Sequence, residues 1–238
     1  MRYKCYVVTL SYYYGRFFVK NSVINKIGNH NNVIESDEAT VLSKIYESGV
    51  NMVIWRRQLA PQLRLQAQNF TLNVGFSNFS VKIGTNESFD YLNDILGGDS
   101  NTSLLVKDMN QLIEMYCYLF ELKGVGIRVK VLGEAMCPRF HVDRLPCRLI
   151  STYHGPCTEW LLNDCVDRSK LGHGNKGLTD DKSGVYSIKD CIQALELGDV
   201  ALLKGELWPG NVGNGLVHRS PAASKSDKRL LFSLDFSN

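Results

Sequence analysis

The chain has 238 residues, of which 44% are hydrophobic and 21% are charged, and its formal net charge is +3. These values are ordinary for a globular protein, and the length suits one large domain or two small ones. The slight positive charge and the lack of an RNA-binding motif argue against a nucleic-acid partner. No apolar run approaches the ~18 residues of a membrane span, so we expect no membrane partner.

Seven cysteines are an odd number, and their spacing indicates no small disulfide framework. We therefore expect reduced thiols and a cytoplasmic location. The apolar stretch Cys5–Leu10 is short, and Ser11–Arg16 after it offers no small-residue cleavage site. This pattern favours a buried strand over a signal peptide.

The first half of the chain predicts helices and irregular strands. Residues 3–20 are rich in β-branched and aromatic side chains and predict one or two strands, and the Asn-rich residues 21–35 predict a loop. Ser36 suits the N-cap of a helix that ends near Gly49. The next patterns predict a strand, a helix, a strand or hairpin, and a helix, at Val50–Trp55, Pro61–Gln68, Phe70–Ile83 and Glu87–Leu96.

The hydrophobic period changes at Gly124. Before it, Asp108 suits the N-cap of the longest helix, and after it apolar and polar residues alternate as in a half-buried strand. Further short strands, interrupted by a polar, Gly-rich loop at 163–184, predict a barrel or jelly roll. The expected division is an extension at 1–35, a mixed helical portion at 36–123 and a β-rich core at 124–238, within one compact body.

His141 and Asp143 are two residues apart on a predicted strand, so their side chains point to the same face. His218 lies on a later predicted strand. Two histidines and one carboxylate form the facial triad of non-haem Fe(II) oxygenases, which leaves three coordination positions open. The sequence therefore predicts a metal site at His141, Asp143 and His218, against the simpler interpretation that the three residues are unrelated.

Arg229 follows His218 on the next predicted strand. Iron(II) oxygenases with this triad commonly use 2-oxoglutarate, whose distal carboxylate needs a cation. A planar guanidinium can bind that carboxylate with two parallel hydrogen bonds. We predict that Arg229 binds the co-substrate and that the hydroxyl of Tyr153 or Ser233 assists. Arg139, Arg144 and the 163–184 loop are candidates to contact the substrate, whose identity the sequence does not give.

His141-x-Asp143, His218 and Arg229, preceded by Gly198–Val200 on a predicted strand pair, resemble the 2-oxoglutarate/Fe(II) dioxygenases over roughly residues 124–236. The resemblance implies an α+β fold in which a double-stranded β-helix core (a cupin-like jelly roll) carries N-terminal helices and strands. It also implies an Fe(II)/2-oxoglutarate-dependent oxygenase with Fe(II) and 2-oxoglutarate as its cofactors.

A closer resemblance is to an uncharacterised bacterial family of unknown function, and it spans most of the chain after residue 36. The segments that carry it are Val53–Arg57, Met136–Asp143 (MCPRFHVD), Gly155–Trp160 and His218–Pro221 (HRSP). The family implies no established activity. Its members resemble one another in being encoded near zinc-homeostasis genes.

That association keeps a second hypothesis open, a zinc-binding protein of metal homeostasis with the same fold and no oxygenase activity. Cys137, His141 and Cys147 would hold Zn(II), with Cys157 or His154 as a further ligand, because thiolates and imidazoles suit zinc. The spacing is not that of a zinc knuckle, and buried small hydrophobes are the simpler interpretation of these cysteines.

Overall fold

The computed structural model describes residues 32–72 and 76–237. The strands predicted within residues 3–20 lie outside the described residues and stay a prediction. Within the described chain, the helices are Pro61–Thr71 (α1), Ser88–Leu96 (α2), Ser103–Leu119 (α3) and Asp180–Ser183 (α4). The strands are Val33–Ser36 (β1), Met52–Trp55 (β2), Phe79–Gly84 (β3), Gly124–Leu132 (β4), Cys147–His154 (β5), Glu159–Leu161 (β6), Ile192–Ala194 (β7), Val200–Lys204 (β8), His218–Arg219 (β9) and Arg229–Phe236 (β10).

The strands form two sheets. The large sheet has the order β1-β2-β8-β5-β10-β4-β3, and the small sheet has the order β7-β6-β9. His141 adds one antiparallel bridge to β9 at the edge of the small sheet. From β4 to β10 the chain passes repeatedly between the two sheets, and its pairings are antiparallel. This winding is that of a jelly roll. The predicted α+β class with a double-stranded β-helix core is confirmed.

The alternation of side chains along a strand separates the two faces of the large sheet. On β10, Leu230, Phe232 and Leu234 belong to the core that also contains residues of α1, α2 and α3. Leu231, between them, belongs to a second core that also contains Trp160 of the small sheet. The three helices therefore cover the outer face of the large sheet, and the inner face is turned toward the small sheet.

The segment between β6 and β7 covers the outer face of the small sheet. Its Val185 and Cys191 pack with Phe140 and Val217 in a third core. A disulfide joins Cys165 to Cys191, so the reduced state predicted for the cysteines does not hold for this pair. The spacing of the cysteines did not predict this disulfide, because Cys165 and Cys191 are 26 positions apart.

Two predicted helix starts are wrong. Asp108 lies inside α3, which begins at Ser103, and its carboxylate accepts hydrogen bonds from both terminal nitrogens of Arg57 at 2.8 Å. An acid that forms a partly buried ion pair looks like an N-cap in the sequence. Ser36 is the last residue of β1, and the helical turn after it is a 3-10 helix over Ala39–Tyr46.

The strand pair predicted around Gly198 is β7 and β8, which do not pair with each other. β7 belongs to the small sheet and β8 to the large one, so the Gly198–Asp199 turn carries the chain from one sheet to the other. The predicted division into three portions stays a prediction, although β1, β2 and β3 join the same sheet as β4. Among the helices of the described ranges, none has the length and apolar character needed to span a membrane.

Candidate metal centre

His141 and His218 lie directly opposite each other on neighbouring antiparallel segments. The N–H of each donates to the carbonyl of the other at 3.0 Å. Their imidazole rings consequently lie side by side, with centroids 4.6 Å apart. The sheet ladder thus brings together two histidines that are distant in the chain.

Asp143 completes the cluster. Its Oδ1 lies 3.8 Å from His141 Nε2, and its Oδ2 lies 3.5 Å from His218 Nε2. One ligand atom from each residue lies within 4.8 Å of the other two. The backbone at Asp143 is held by Gly205 and Glu206, since the N–H of Glu206 donates to its carbonyl at 2.9 Å. A Cβ at Gly205 would meet that same carbonyl at 2.6 Å, so only glycine fits there.

The donor set fits a cation. His141 Nδ1 lies 2.9 Å from the Arg139 carbonyl, and His218 Nδ1 lies 3.2 Å from the Leu216 carbonyl. A carbonyl can only accept, so each Nδ1 carries a proton, and in the neutral ring the lone pair is on Nε2. Both lone pairs then face the Asp143 carboxylate. Three acceptors that face one another repel unless a cation lies between them, which is how metal ligands are arranged.

His218 is neutral at ordinary pH. It is 7% exposed, and burial lowers its pKa to about 4. The Asp143 carboxylate opposes this shift, while His141 and Arg148 lower the pKa of His218 further. A proton is therefore a poor candidate for the missing cation, and a divalent metal is a good one, since neutral imidazole is the metal-binding form.

A cavity of about 290 Å³ opens beside the cluster, between the two sheets. Its lining is basic and contains no acidic side chain from the described residues. The lining residues are Arg128, Lys130, Met136, Cys137, His141, Arg148, Ile150, Thr158, His218, Arg219, Ser220, Arg229, Leu231 and Ser233.

Arg229 is the most unusual of these cations. It is 2% exposed, and its guanidinium donates to the hydroxyls of Thr152 at 3.0 Å and Thr158 at 2.6 Å. In the described part of the chain no carboxylate pairs with it, and burial lowers its pKa to about 10. A buried charge without a counter-ion is costly, so this arrangement suits a protein that binds an anion here.

The chain matches the family model described as "Protein of unknown function (DUF1826)" over residues 36–235. The chain belongs to this family. The family description names no activity, and no curated protein matches the chain. The match includes His141, Asp143, His218 and Arg229, so the whole cluster and the buried arginine lie within the DUF1826 region.

Several solved structures are similar to this DUF1826 protein. A rice dioxygenase for auxin oxidation is 9% identical, with 86% of this chain and 82% of that chain covered and a TM-score of 0.49. Dioxygenase for auxin oxidation 1 from Arabidopsis thaliana, in a binary complex with 2-oxoglutarate, is 9% identical, with 86% and 91% covered and a TM-score of 0.44. HygX from Streptomyces hygroscopicus, with nickel and 2-oxoglutarate bound, is 10% identical, with 83% and 85% covered and a TM-score of 0.36. At these identities the similarity concerns the fold alone.

Tyr153, the other residue predicted to bind the cofactor, is not in the cavity. It lies on the opposite face of β5, in the core beneath the helices, and its hydroxyl donates to the Asp108 carboxylate. Thr152, on the cavity face, supplies the hydroxyl instead. Ser233 lines the cavity, whereas Lys228, beside Arg229 in sequence, donates to the carbonyl of Thr71.

The structure does not assemble the cysteine site of the zinc hypothesis. Cys147 is fully buried in the core beneath the helices, where burial raises the pKa of its thiol. Cys137 lines the cavity, on the other side of the sheet. Over residues 32–72 and 76–237, the cluster of His141, Asp143 and His218 is the one group of three or more His, Cys, Asp or Glu residues placed to hold a metal.

Sequence reasoning missed Arg148. Its Nη1 donates to Asp143 Oδ2 at 2.6 Å, and its Nε and Nη2 donate to Asp235 at 2.7 and 3.0 Å. The alternation of residues along β5 could have indicated its role, because Arg148 is on the same face as Ile150 and Thr152 and on the opposite face from the apolar Leu149. An arginine on an inward-facing strand position needs acidic partners, and here they are Asp235 and the predicted metal ligand Asp143.

Proposed function

We propose that this protein is a mononuclear Fe(II)- and 2-oxoglutarate-dependent oxygenase, with His141, Asp143 and His218 as the metal ligands and Arg229 as the residue that binds the co-substrate. One observation carries the proposal: two residues of the metal cluster, His141 and His218, line the same small cavity as a buried guanidinium that pairs with no described carboxylate. A metal site alone fits many functions. A metal site with a cation beside it fits a ligand that chelates the metal at one end and carries a carboxylate at the other.

The two histidines and Asp143 would hold Fe(II) and leave three positions open. Fe(II) and 2-oxoglutarate would supply an oxidation in which one oxygen atom of O2 enters succinate, the other enters the substrate, and CO2 is lost. The protein's own residues would bind and orient the metal and the co-substrate and exclude water from them. Arg229 would bind the distal carboxylate, and the hydroxyls of Thr152 and Thr158 fix the guanidinium.

The charge around the cavity favours an anionic substrate. Arg128 and Arg148 pair with Asp235, and Arg219 pairs with Glu159 and Asp180. Lys130 has a different partner, because its ammonium lies 3.3 Å from the Met136 sulfur and no described carboxylate forms an ion pair with it. With Arg229 assigned to the co-substrate, Lys130 is the cation left to attract a carboxylate or phosphate group.

Arg139, predicted to contact the substrate, has another role. Its guanidinium donates to the carbonyls of Gly177 and Leu178, so it ties the loop to the segment that carries His141. Substrate binding by Arg139 is therefore not part of the proposal. Lys130 takes its place as the anion-binding residue.

Succinate formation from 2-oxoglutarate by the purified protein with Fe(II), ascorbate and O2 tests the proposal. We expect slow turnover without substrate, lost in His141→Ala and retained in Cys137→Ser. Screening carboxylic acids against their amides should then find that acids stimulate turnover more strongly. Iron that binds to the three ligands without any succinate formation would refute the oxygenase.

A further inference from the structure

Arg148 connects the predicted metal ligand to the large sheet. It lies on β5 directly across from Asp235 on β10. Two nitrogens of its guanidinium engage both oxygens of Asp235, at 2.7 and 3.0 Å. A bidentate pair of this kind fixes the plane of the guanidinium. Only 19% of the Arg148 side chain is exposed, so little freedom remains for it to turn away.

The third nitrogen of Arg148 is therefore aimed at a fixed point, and Asp143 Oδ2 occupies that point at 2.6 Å. Among the described residues the other carboxylate oxygen, Oδ1, has no comparable donor, and it lies 3.8 Å from His141 Nε2. One oxygen of Asp143 is thus bound by a guanidinium, and the other is free for a metal ion.

We infer that Arg148 is a positioning residue that keeps Asp143 a monodentate metal ligand. A carboxylate can bind a metal through one oxygen or through two. With two histidines and one carboxylate oxygen, a six-coordinate ion has three open positions. A bidentate Asp143 would fill one of them and leave two, too few for a chelating keto acid and a further reactant. This inference rests on the proposed function, because it concerns the same metal site.

Loss of Arg148 should change the affinities for metal and for 2-oxoglutarate in different ways, whereas general structural damage would weaken both. Without the Arg148 side chain, Asp143 gains freedom to offer both oxygens, and a positive charge near the ion disappears. Metal binding is then retained or strengthened, while the binding of 2-oxoglutarate weakens. A lysine at this position can reach Asp143 with a single hydrogen bond but cannot engage Asp235 through two nitrogens. It should restore part of the loss.

Arg128 offers a matched control. It also pairs with Asp235 and also lines the cavity, but it makes no hydrogen bond to Asp143. Arg128→Met therefore removes the same charge from the same carboxylate without freeing the metal ligand. Because Arg128 also lines the cavity, its loss should weaken 2-oxoglutarate binding, but by less than the roughly 10-fold expected of Arg148→Met, since about 10–100-fold is the effect of losing an outer partner of a metal ligand.

Isothermal titration calorimetry with Mn(II), followed by 2-oxoglutarate titrated into the Mn(II)-loaded protein, tests the inference without turnover. In Arg148→Met we expect an unchanged or lower Kd for Mn(II) and a Kd for 2-oxoglutarate raised about 10-fold or more, with Arg148→Lys between that variant and wild type. Equal loss of both affinities, or no change in either, would overturn it. If wild type binds Mn(II) and 2-oxoglutarate, a failed Arg148→Met result refutes this inference alone. If wild type binds neither, both proposals are wrong.

Discussion

His141 and His218 exchange both of their backbone hydrogen bonds, each at 3.0 Å. The two candidate ligands are therefore fixed by the sheet ladder rather than by a mobile loop. Each Nδ1–H also donates a hydrogen bond to the carbonyl of the residue two positions before it, which sets the ring orientation. Ligands held by backbone pairing and by a second hydrogen bond are preorganised for a metal ion.

Loss of a ligand should abolish metal binding. His218→Ala and Asp143→Ala each remove one of three donors, so the Kd for Mn(II) should rise more than about 100-fold, beyond the effect of losing an outer partner. His173→Ala, in an exposed part of the 163–184 loop, is the control and should bind Mn(II) as wild type does. Wild-type affinity in His218→Ala, measured by calorimetry, would refute the metal site.

Arg229→Met should lose the co-substrate and gain stability. Removing the charge that holds a carboxylate should cost about 2–5 kcal/mol of 2-oxoglutarate binding. In the ligand-free protein no described carboxylate pairs with the buried cation, so an apolar side chain of similar size should raise the free energy of unfolding by about 1 kcal/mol or more. Calorimetry and urea unfolding measure the two effects.

Lys228→Met is the control for Arg229→Met, because Lys228 faces away from the cavity and donates to Thr71. It should leave 2-oxoglutarate binding unchanged. A destabilised Arg229→Met protein that still binds 2-oxoglutarate normally would show that Arg229 serves the fold and not the ligand.

The metal-free protein should lose stability as the pH falls from about 6.5 to about 4. The pKa of His218 is 6.5 in the unfolded reference and about 4 in the folded protein. Between these values the unfolded chain binds a proton that the folded protein does not, so acid favours unfolding. The loss should be on the order of 3 kcal/mol across this window.

Urea unfolding of metal-free wild type and His218→Gln, at about pH 7.5 and about pH 5, checks the pH prediction. The variant lacks the titrating group, so its stability should fall less between the two pH values. Equal losses in both proteins would show that His218 is not held neutral by burial.

Tyr153→Phe should affect stability and not the cofactor. The variant removes the hydrogen bond to Asp108 beneath the helices, which should cost about 1 kcal/mol of the free energy of unfolding. The affinity of the Mn(II)-loaded protein for 2-oxoglutarate should not change, because Tyr153 faces away from the cavity. Weaker 2-oxoglutarate binding at unchanged stability would contradict the placement described above.

Local patterns predicted the β-rich core and the candidate ligands. The change of period at Gly124 marked the first strand of the core, and the His-x-Asp spacing marked two side chains on one face. Which face of each strand points inward is a tertiary property, and the sequence left it open on β5. Thr152 and Tyr153 both carry a hydroxyl, and only the packing of the helices on the sheet shows that Thr152 faces the cavity.

Side-chain contacts between residues far apart in the chain could not be predicted from the sequence either. Arg148 meets Asp235 only because β5 pairs with β10, and the sequence alone gives no sign of that pairing. The ion pair of Asp108 with Arg57 and the Cys165–Cys191 disulfide are of the same kind. In each case a residue with a plausible local role is used for a contact far along the chain.

Anaerobic visible absorption spectroscopy detects the proposed complex itself, because Fe(II) chelated by a 2-keto acid gives a charge-transfer band that neither component gives alone. We expect this band from wild-type protein with Fe(II) and 2-oxoglutarate, no band from His218→Ala, and a band from Arg229→Met only at far higher 2-oxoglutarate concentration. Wild-type protein that binds Fe(II) and shows no band at any 2-oxoglutarate concentration would refute the proposed oxygenase site.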